Sequence, residues 1–409
     1  MDRVNPYTDK PPLIFILIVV SLDLIGMTVL GPVAAYIVRQ YSGDALAVSM
    51  LTVFYAMAQF IAAPFLGKLS DHYGRRPVLL VSVFGSAVGY YLFGIGGALW
   101  VLLLSRLIDG FTGGNISTAS AYIADVTPPE DRARNFALLG AAFGLGFILG
   151  PALGGALSQL GLTMPAFAAG TLSMASTIVG YFVLPESLPK NRRVTAPLRW
   201  QDLNPFESIV DLLRRPVVGG VLFSQCIFNF VFNGRNSVLA VFAIDQFAAP
   251  PSELAVLFVV GGVTMVIVQG MLVGRLTKRV GEQKLAVSGL VIQGIAGLGM
   301  LIPAAFWQLY PLSILSSGSA GLIYPTMGAL AANSVPLEEQ GKVNGVSTAL
   351  GSLMSVFGPL WAGAIYDGIA PTAPFWMGGV LFVLAGVLLA RVTVTSAVGR
   401  TWPAQPVAE

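Results

Sequence analysis

Four charged residues lie well inside long apolar stretches of the 409-residue chain: Asp23, Arg106, Asp109 and Arg235. A carboxylate can take up and release a proton, whereas an arginine side chain stays charged and can hold a carboxylate by two parallel hydrogen bonds. Because an ion in lipid is costly, such residues usually face a partner or a water-filled cavity. The four residues are therefore candidates for proton transfer and for binding a charged ligand.

Two of these residues, Arg106 and Asp109, are three positions apart and so share one face of a helix. We expect Asp23 and Asp109 to include the protonation site, with Arg106 favouring the ionised carboxylate. Proton and substrate would then compete for one polar centre. The alternative is a static pair that only neutralises charge and fixes the register of the helices.

Amides surround the fourth charged residue, Arg235. Asn229, Asn233 and Asn236 recur at helical spacing on one side of this stretch. A face that joins amides and a guanidinium predicts a substrate-binding surface, or alternatively a gate near the outer mouth. Further candidates for substrate contacts are polar side chains in other apolar stretches: Tyr55, Gln59, Ser317 and Tyr324.

The elements that hold these residues are long enough to cross a membrane. The chain is 55% hydrophobic and only 11% charged, with a mean hydropathy of +0.77. Runs of ~20 apolar residues span a bilayer, and lipid requires them to be helices. The predicted spans are 13–38, 45–66, 78–97, 98–123, 136–160, 165–184, 217–242, 253–273, 285–305, 309–332, 344–366 and 374–392.

The basic residues predict the orientation of these spans. With a cytoplasmic amino terminus, 20 of the 23 Lys and Arg residues fall on the cytoplasmic side, and only Arg39, Arg106 and Arg235 do not. We therefore expect a multi-pass protein of the cell (inner) membrane with both termini in the cytoplasm. The net charge of +3 follows from this distribution, so no nucleic-acid partner is indicated.

Composition divides the chain into three parts. Residues 185–216 are rich in proline and basic residues and form a predicted cytoplasmic linker, with an amphipathic helix over 202–213. Residues 1–184 and 217–409 are the two predicted six-helix bundles. They repeat each other, because the segment 67–74 recurs 207 residues later and the pair Gly150-Pro151 recurs 208 residues later.

Three segments resemble the signature motifs of the major facilitator superfamily: residues 67–77, 106–113 and 140–155. The third is most similar to the fifth span of drug:proton antiporters of the twelve-span tetracycline and multidrug exporter type. The resemblance covers essentially the whole chain. It implies an all-α membrane fold of two pseudo-symmetric six-helix bundles, in which spans one, four, seven and ten line a central cavity and access alternates between the two sides.

The resemblance also implies a gate in the first motif. Gly67 and Gly74 would allow a tight polar turn between two spans, and Asp71 and Arg75 would join Asp125 in a charge network that holds the cytoplasmic side closed against the eleventh helix. Ordinary solvated charges in a turn are the alternative.

A second gating element is implied in the fifth span. Gly150 and Gly154, with Gly146, recur every four residues and permit close helix packing, and Pro151 should bend the helix. By resemblance this helix seals and moves against the eighth or eleventh span. The alternative is that the glycines only pack helices.

The sequence thus predicts a monomeric secondary transporter that exports small amphiphilic drugs or metabolites in exchange for protons, as in multidrug efflux and antibiotic resistance. Uptake of a polar nutrient or lipid is the first alternative, and a receptor or membrane enzyme is the second. With one Cys and one His, no catalytic or metal site and no cofactor are expected. Tetracycline exporters carry an acid in the third span and a histidine in the eighth. Here residues 78–97 contain no acid and residues 253–273 contain no histidine, which argues against tetracycline as the substrate.

Overall fold

The computed structural model describes residues 13–113, 115–128, 131–189, 191, 193 and 206–392, and in this part of the chain every regular element is helical. The helices are α1 (Leu13–Val29), α2 (Ala34–Val38), α3 (Ala45–Tyr73), α4 (Arg75–Ile95), α5 (Leu99–Thr112), α6 (Asn115–Val126), α7 (Arg132–Ser158), α8 (Met164–Val183), α9 (Phe206–Arg214), α10 (Pro216–Phe247), α11 (Pro251–Ile267), α12 (Val273–Val280), α13 (Glu282–Gly299), α14 (Leu309–Asn333), α15 (Gln340–Gly368) and α16 (Ala373–Arg391).

These helices form the twelve predicted spans. Eight continuous helices are long and apolar enough to cross a membrane: α3, α4, α7, α8, α10, the unit 251–280, the unit 337–368 and α16. The pairs α1–α2 and α5–α6, together with α13 and α14, supply the other four. The predicted all-α membrane fold is therefore confirmed, and the fourth span is divided near Gly113. Residues 1–12 and 393–409, and residues 190, 192 and 194–205 of the predicted linker, lie outside the described residues.

The polar segment 67–77 is not the ten-residue turn that the sequence predicts. Helix α3 continues to Tyr73 and α4 begins at Arg75, so only Gly74 separates them. Gly74 has φ +110°, a conformation that favours glycine. Gly67 lies within α3, and a Cβ added there would meet nothing within 4 Å. The prediction was wrong because nothing from Lys68 to Tyr73 breaks a helix, so the span extends beyond the apolar region.

The second half repeats this geometry. Gly281, with φ +87°, is the one residue between α12 and α13. Pro151 lies inside α7 and Pro359 lies inside α15. Helix α7 packs on α1 in the first half, and α15 packs on α10 in the second. The internal repeat therefore holds for backbone conformation and for packing.

The glycine repeat of α7 packs against the first span, not against the eighth or eleventh. A Cβ on Gly146 would lie 2.8 Å from the Cβ of Leu24, and one on Gly154 would meet the carbonyl of Val29. Between them, the hydroxyl of Thr28 donates to the Gly146 carbonyl at 2.7 Å, and Gly150 leaves room for it. This stripe packs within the first half, and the predicted contact of the helix with the eighth span is made by other residues of α7.

Other residues of α7 contact the eighth span. A Cβ on Gly144 would lie 2.9 Å from Val266, and one on Gly262 would lie 2.8 Å from the carbonyl of Phe147. The eighth span consists of α11, a π turn at Val268–Leu272 and α12. The two halves also meet where α3 packs on α15.

The bundle has two ends that we name by one residue each. The Asp71 face holds the junctions α3–α4, α12–α13 and α14–α15, and the Asp245 face holds the junctions α2–α3, α10–α11 and α15–α16. The contacts between the halves that are described below lie at the Asp245 face.

The amphipathic linker helix is present as α9 and docks on the second half. Leu212 is fully buried beside Val218 and Leu222 of α10. The ammonium of Lys342 donates to Asp211 at 2.6 Å, and Arg215 bridges Asp211 and Glu339. A charged cluster therefore fixes α9 to the junction between α14 and α15.

Candidate functional site

A buried ion pair lies in the first half. The guanidinium of Arg106 donates to the carboxylate of Asp109 at 3.1 Å, one turn along α5. The two residues are only 8% and 2% exposed. The hydroxyl of Ser86 on α4 is 3.5 Å from the hydroxyl of Thr112, at the end of α5. The pair that the three-residue spacing predicts is therefore formed and is shielded from solvent.

Aromatic rings and close helix packing position this pair. Arg106 lies over the rings of Phe93 and Tyr90, at 4.8 and 5.4 Å from their centroids, and such contacts stabilise a desolvated cation. A Cβ on Gly89 would lie 3.0 Å from the Cβ of Asp109. Glycine at this position thus lets α4 approach the acid closely.

Three further polar residues of the first half, Asp23, Tyr55 and Gln59, lie near this pair. Asp23 and Asp109 both lie close enough to the Tyr55 hydroxyl to act on it electrostatically. Gln59 donates to the Tyr55 hydroxyl at 3.4 Å and to the carbonyl of Gly113 at 3.1 Å. The second span thus packs beside the pair, since a Cβ on Gly110 would meet the carbonyl of Tyr55.

Arg235 does not share a face with the amides of α10. It is 6% exposed, and its guanidinium donates to the hydroxyl of Ser316 on α14 and lies 5.9 Å from the ring centroid of Phe382. Asn233 donates to the carbonyl of Asn229 at 2.8 Å, and Asn236 is exposed. At ~100° per residue, Arg235 lies about a third of a turn away from Asn236. The prediction that the amides and the guanidinium share one face of the helix was therefore wrong.

The remaining predicted contacts lie apart from Arg235. Ser317 packs close to Gly261 of α11, where an added Cβ would lie 2.8 Å from the hydroxyl. Tyr324 packs edge-on against Phe228 and Phe232, with centroids 5.1 and 5.9 Å away. Phe228 is 1% exposed and serves packing.

At the Asp71 face, the predicted charge network is formed. Arg75 donates to Asp71 at 2.6 Å and to Asp125 at 3.2 Å, and its side chain also binds Ser70. The carboxylate of Glu186 accepts the Arg75 backbone N–H at 2.8 Å. All the partners recorded for Arg75 belong to the first half or the start of the linker. The expected closure against the eleventh helix is not observed, because the halves meet at the other end.

The Asp245 face contains a second network, which sequence analysis missed. Asp245 of α10 binds Arg39 at 2.6 Å and accepts from the hydroxyl of Tyr366 at 2.7 Å. Nearby, the hydroxyls of Ser49 and Ser237 are 3.2 Å apart. The sequence did contain one signal for this network. In the predicted topology, Arg39 is the one basic residue that lies in an outer loop. Its acidic partner is 206 residues away.

Among the described residues, no group of three or more His, Cys, Asp or Glu side chains is placed so that it could hold a metal ion.

The sequence matches the profile of the Major Facilitator Superfamily over residues 16–307 and 221–406. It is 33% identical to the class C tetracycline resistance protein of Escherichia coli over 92% of this chain and 94% of that protein. It is 24% identical to multidrug resistance protein 2 of Bacillus subtilis strain 168 over 91% of this chain and 93% of that protein.

Among solved structures, the chain resembles the human organic anion transporter MFSD10, with a TM-score of 0.70 and 25% identity, over 93% of this chain and 99% of that one. A twelve-helix bundle with buried charges between its spans is the architecture of a membrane transporter. The chain belongs to the Major Facilitator Superfamily, which confirms the family and fold that the motifs predict.

Proposed function

We propose that this protein is a secondary transporter that exports amphiphilic molecules in exchange for protons by alternating access. The observation that supports this most directly is the buried pair of Arg106 and Asp109, with the half-buried Asp23 as a second carboxylate in the same half. A carboxylate enclosed by helices and held by one guanidinium changes the local charge when it takes up a proton. That change can drive the exchange of a proton for a substrate.

In this mechanism, Arg106 stabilises the ionised form of Asp109, while Tyr55 and Gln59 line the approach from the second span. Substrate binding competes with protonation for the same centre. Release of the substrate on one side lets a proton return. The two domains, residues 1–184 and 217–409, rock about this centre, with residues 185–216 as the linker.

The orientation follows from the basic residues. The Asp71 face is the cytoplasmic one, since most Lys and Arg residues flank it. The contacts of Asp245 then close the outer side, and closure of the inner side brings Asp71, Arg75 and Asp125 toward the second half. The amides Asn229, Asn233 and Asn236 and the side chains of Ser317 and Tyr324 remain candidates for substrate contacts.

Similarity to tetracycline and multidrug resistance proteins supports amphiphilic drugs as the substrate class. Tetracycline itself is the less favoured member, because spans three, eight and nine lack the acids and the histidine of the tetracycline exporters. The protein acts as a monomer, with protons and a small amphiphile as its partners in the bilayer.

The test uses purified protein in liposomes, with ethidium and tetracycline as probes and a pH-sensitive dye inside. Addition of a transported probe should move protons in the wild type. Asp109→Asn and Asp23→Asn should each reduce this movement by at least about tenfold, since neither amide can carry a proton. Asp44→Asn, at an exposed acid of the same charge, is the matched control and should transport normally. Full coupling in both amide variants would disprove the assignment.

A further inference from the structure

Arg235 is a buried cation that has no anionic partner among the described residues. It lies near the middle of the 32-residue α10, and no ion pair or nearby charged side chain compensates its guanidinium in that part of the chain. Its contacts are the hydroxyl of Ser316 and the ring of Phe382. A buried charge without a counter-charge is costly, so a residue of this kind is usually kept for a ligand or a function.

The first half provides the comparison. There Arg106 is also buried and also lies on aromatic rings, but it is neutralised by Asp109. With the 208-residue offset of the repeat, Ser317 occupies the position of Asp109. The second half therefore has a buried guanidinium that contacts the hydroxyl of Ser316, and a serine stands where the first half has its acid.

The guanidinium can be reached from the side of α14. Ser316, which accepts from the guanidinium, is only half-buried. An anionic group placed beside Ser316 would receive charge-assisted hydrogen bonds from Arg235, and guanidinium matches the planar geometry of carboxylate and similar groups.

We propose that the substrates of this protein are amphiphiles with an anionic group, such as a carboxylate or a sulfonate, and that Arg235 with Ser316 binds this group. The inference rests on the proposed transport function and names the substrate class of that site. The carboxylates of the first half take up and release the proton, and Arg235 selects substrates that carry a negative charge.

The experiment uses two probes that differ in one group. They are 1-anilinonaphthalene-8-sulfonate and N-phenyl-1-naphthylamine, which is the same amphiphile without the sulfonate. Each is titrated by fluorescence into purified protein in nanodiscs, with empty nanodiscs subtracted. We expect the wild type to bind the sulfonate about tenfold more tightly than the neutral probe, because a charge-assisted contact in a dry site is strong.

Three variants separate a binding role from a structural one. Arg235→Gln should remove the preference for the sulfonate and leave the affinity for the neutral probe unchanged. Arg235→Lys keeps the charge and should retain part of the preference. Arg279→Gln removes one exposed positive charge and should bind both probes as the wild type does, which controls for a general effect of net charge.

The proposal is overturned if the wild type does not prefer the sulfonate, or if Arg235→Gln retains the preference. It is also overturned if Arg235→Gln weakens both probes equally, since that result indicates packing or misfolding. The export function is tested separately by the effect of Asp109→Asn on proton movement, which does not involve Arg235. If the wild type moves protons but shows no preference for the sulfonate, only the substrate class is refuted.

Discussion

The carboxylate of Asp367, at the end of α15, accepts the backbone N–H of Ala45 at 3.0 Å, across the boundary between the two halves. It also accepts the next N–H, that of Leu46, at 2.9 Å. Asp44 precedes α3 in the sequence, yet its own side chain does not cap the helix. The amino terminus of the second span is thus capped by the eleventh span, and this cap exists only while the Asp245 face is closed.

Removal of this cap should open the Asp245 face. A lost helix cap costs about 1 kcal/mol, so Asp367→Ala should shift the balance between closed and open forms roughly fivefold toward open. Spin labels at the exposed positions of Leu160→Cys and Ile302→Cys, in a Cys226→Ala background, measure the distance between the halves by pulsed electron resonance. Asp44→Ala is the matched control and should not change the distance distribution. The same distribution in both variants would refute a gating role for the cap.

The ion pair of Arg39 and Asp245 should contribute to the same closure in a salt-dependent way. Both side chains are about a quarter exposed, at 27% and 24%, so water weakens the pair and we expect a coupling energy of about 0.5–1 kcal/mol. A double-mutant cycle of Arg39→Gln and Asp245→Asn, with the spin-label distances as the readout, gives this energy. It should shrink in 1 M salt. If the effects of the two substitutions are strictly additive at low salt, the ion pair does not contribute to closure.

The glycine stripe of α7 should tolerate no side chain where it meets α1. Gly146→Ala places a Cβ 2.8 Å from Leu24, and such overpacking costs about 1–3 kcal/mol. We expect a clear decrease in the apparent Tm of the detergent-purified protein.

Gly140→Ala tests the same substitution in the same helix without the clash, since nothing lies within 4 Å of that position. It should be neutral or stabilise the helix by up to ~1 kcal/mol. Equal Tm values for the two variants would show that α7 and α1 are not closely packed at Gly146.

The docking of α9 should depend on pH only under acidic conditions. The hydrogen bond from Lys342, with Arg215 nearby, lowers the pKa of Asp211 below its usual 3.8. A carboxyl with a lowered pKa in the folded state stabilises the contact above its unfolded pKa, and this contribution is lost as the pH falls through the folded value.

We therefore expect hydrogen exchange in α9, corrected for intrinsic rates, to be constant above about pH 4 and to increase below it. Asp211→Asn should exchange faster at neutral pH and should lack the acid-dependent increase. An unchanged acid response in that variant would assign the effect to another group. Glu339 is the nearest such group, since Arg215 binds it as well.

Local patterns predicted much of this fold. Apolar runs located the spans, the repeat located Gly74 and Gly281, and the three-residue spacing predicted the pair of Arg106 and Asp109. The cap from Asp367 to Ala45 could not be predicted, because it joins residues 322 positions apart and depends on which end of the bundle is closed.

Two errors had a signal in the sequence. The segment after Gly67 has no helix breaker before Gly74, so a continuous α3 was the simpler expectation. Helical spacing also separates Arg235 from Asn236, although proximity in the sequence suggested a common face. The partner of the glycine stripe had no such signal, because a stripe of small residues shows that a helix packs closely and does not identify its neighbour.

One further feature concerns the second span of each half. Helix α3 has Pro64 inside it, and the position 207 residues later, Met271, lies in the π turn of the eighth span. Both devices interrupt the regular backbone hydrogen bonding and allow a bend. The two halves therefore share a position that permits bending, which is a proline in the first half and a widened turn in the second. Beyond this position in each half, the ends of α3 and α12 at the Asp71 face can swing apart while the ends at the Asp245 face stay joined.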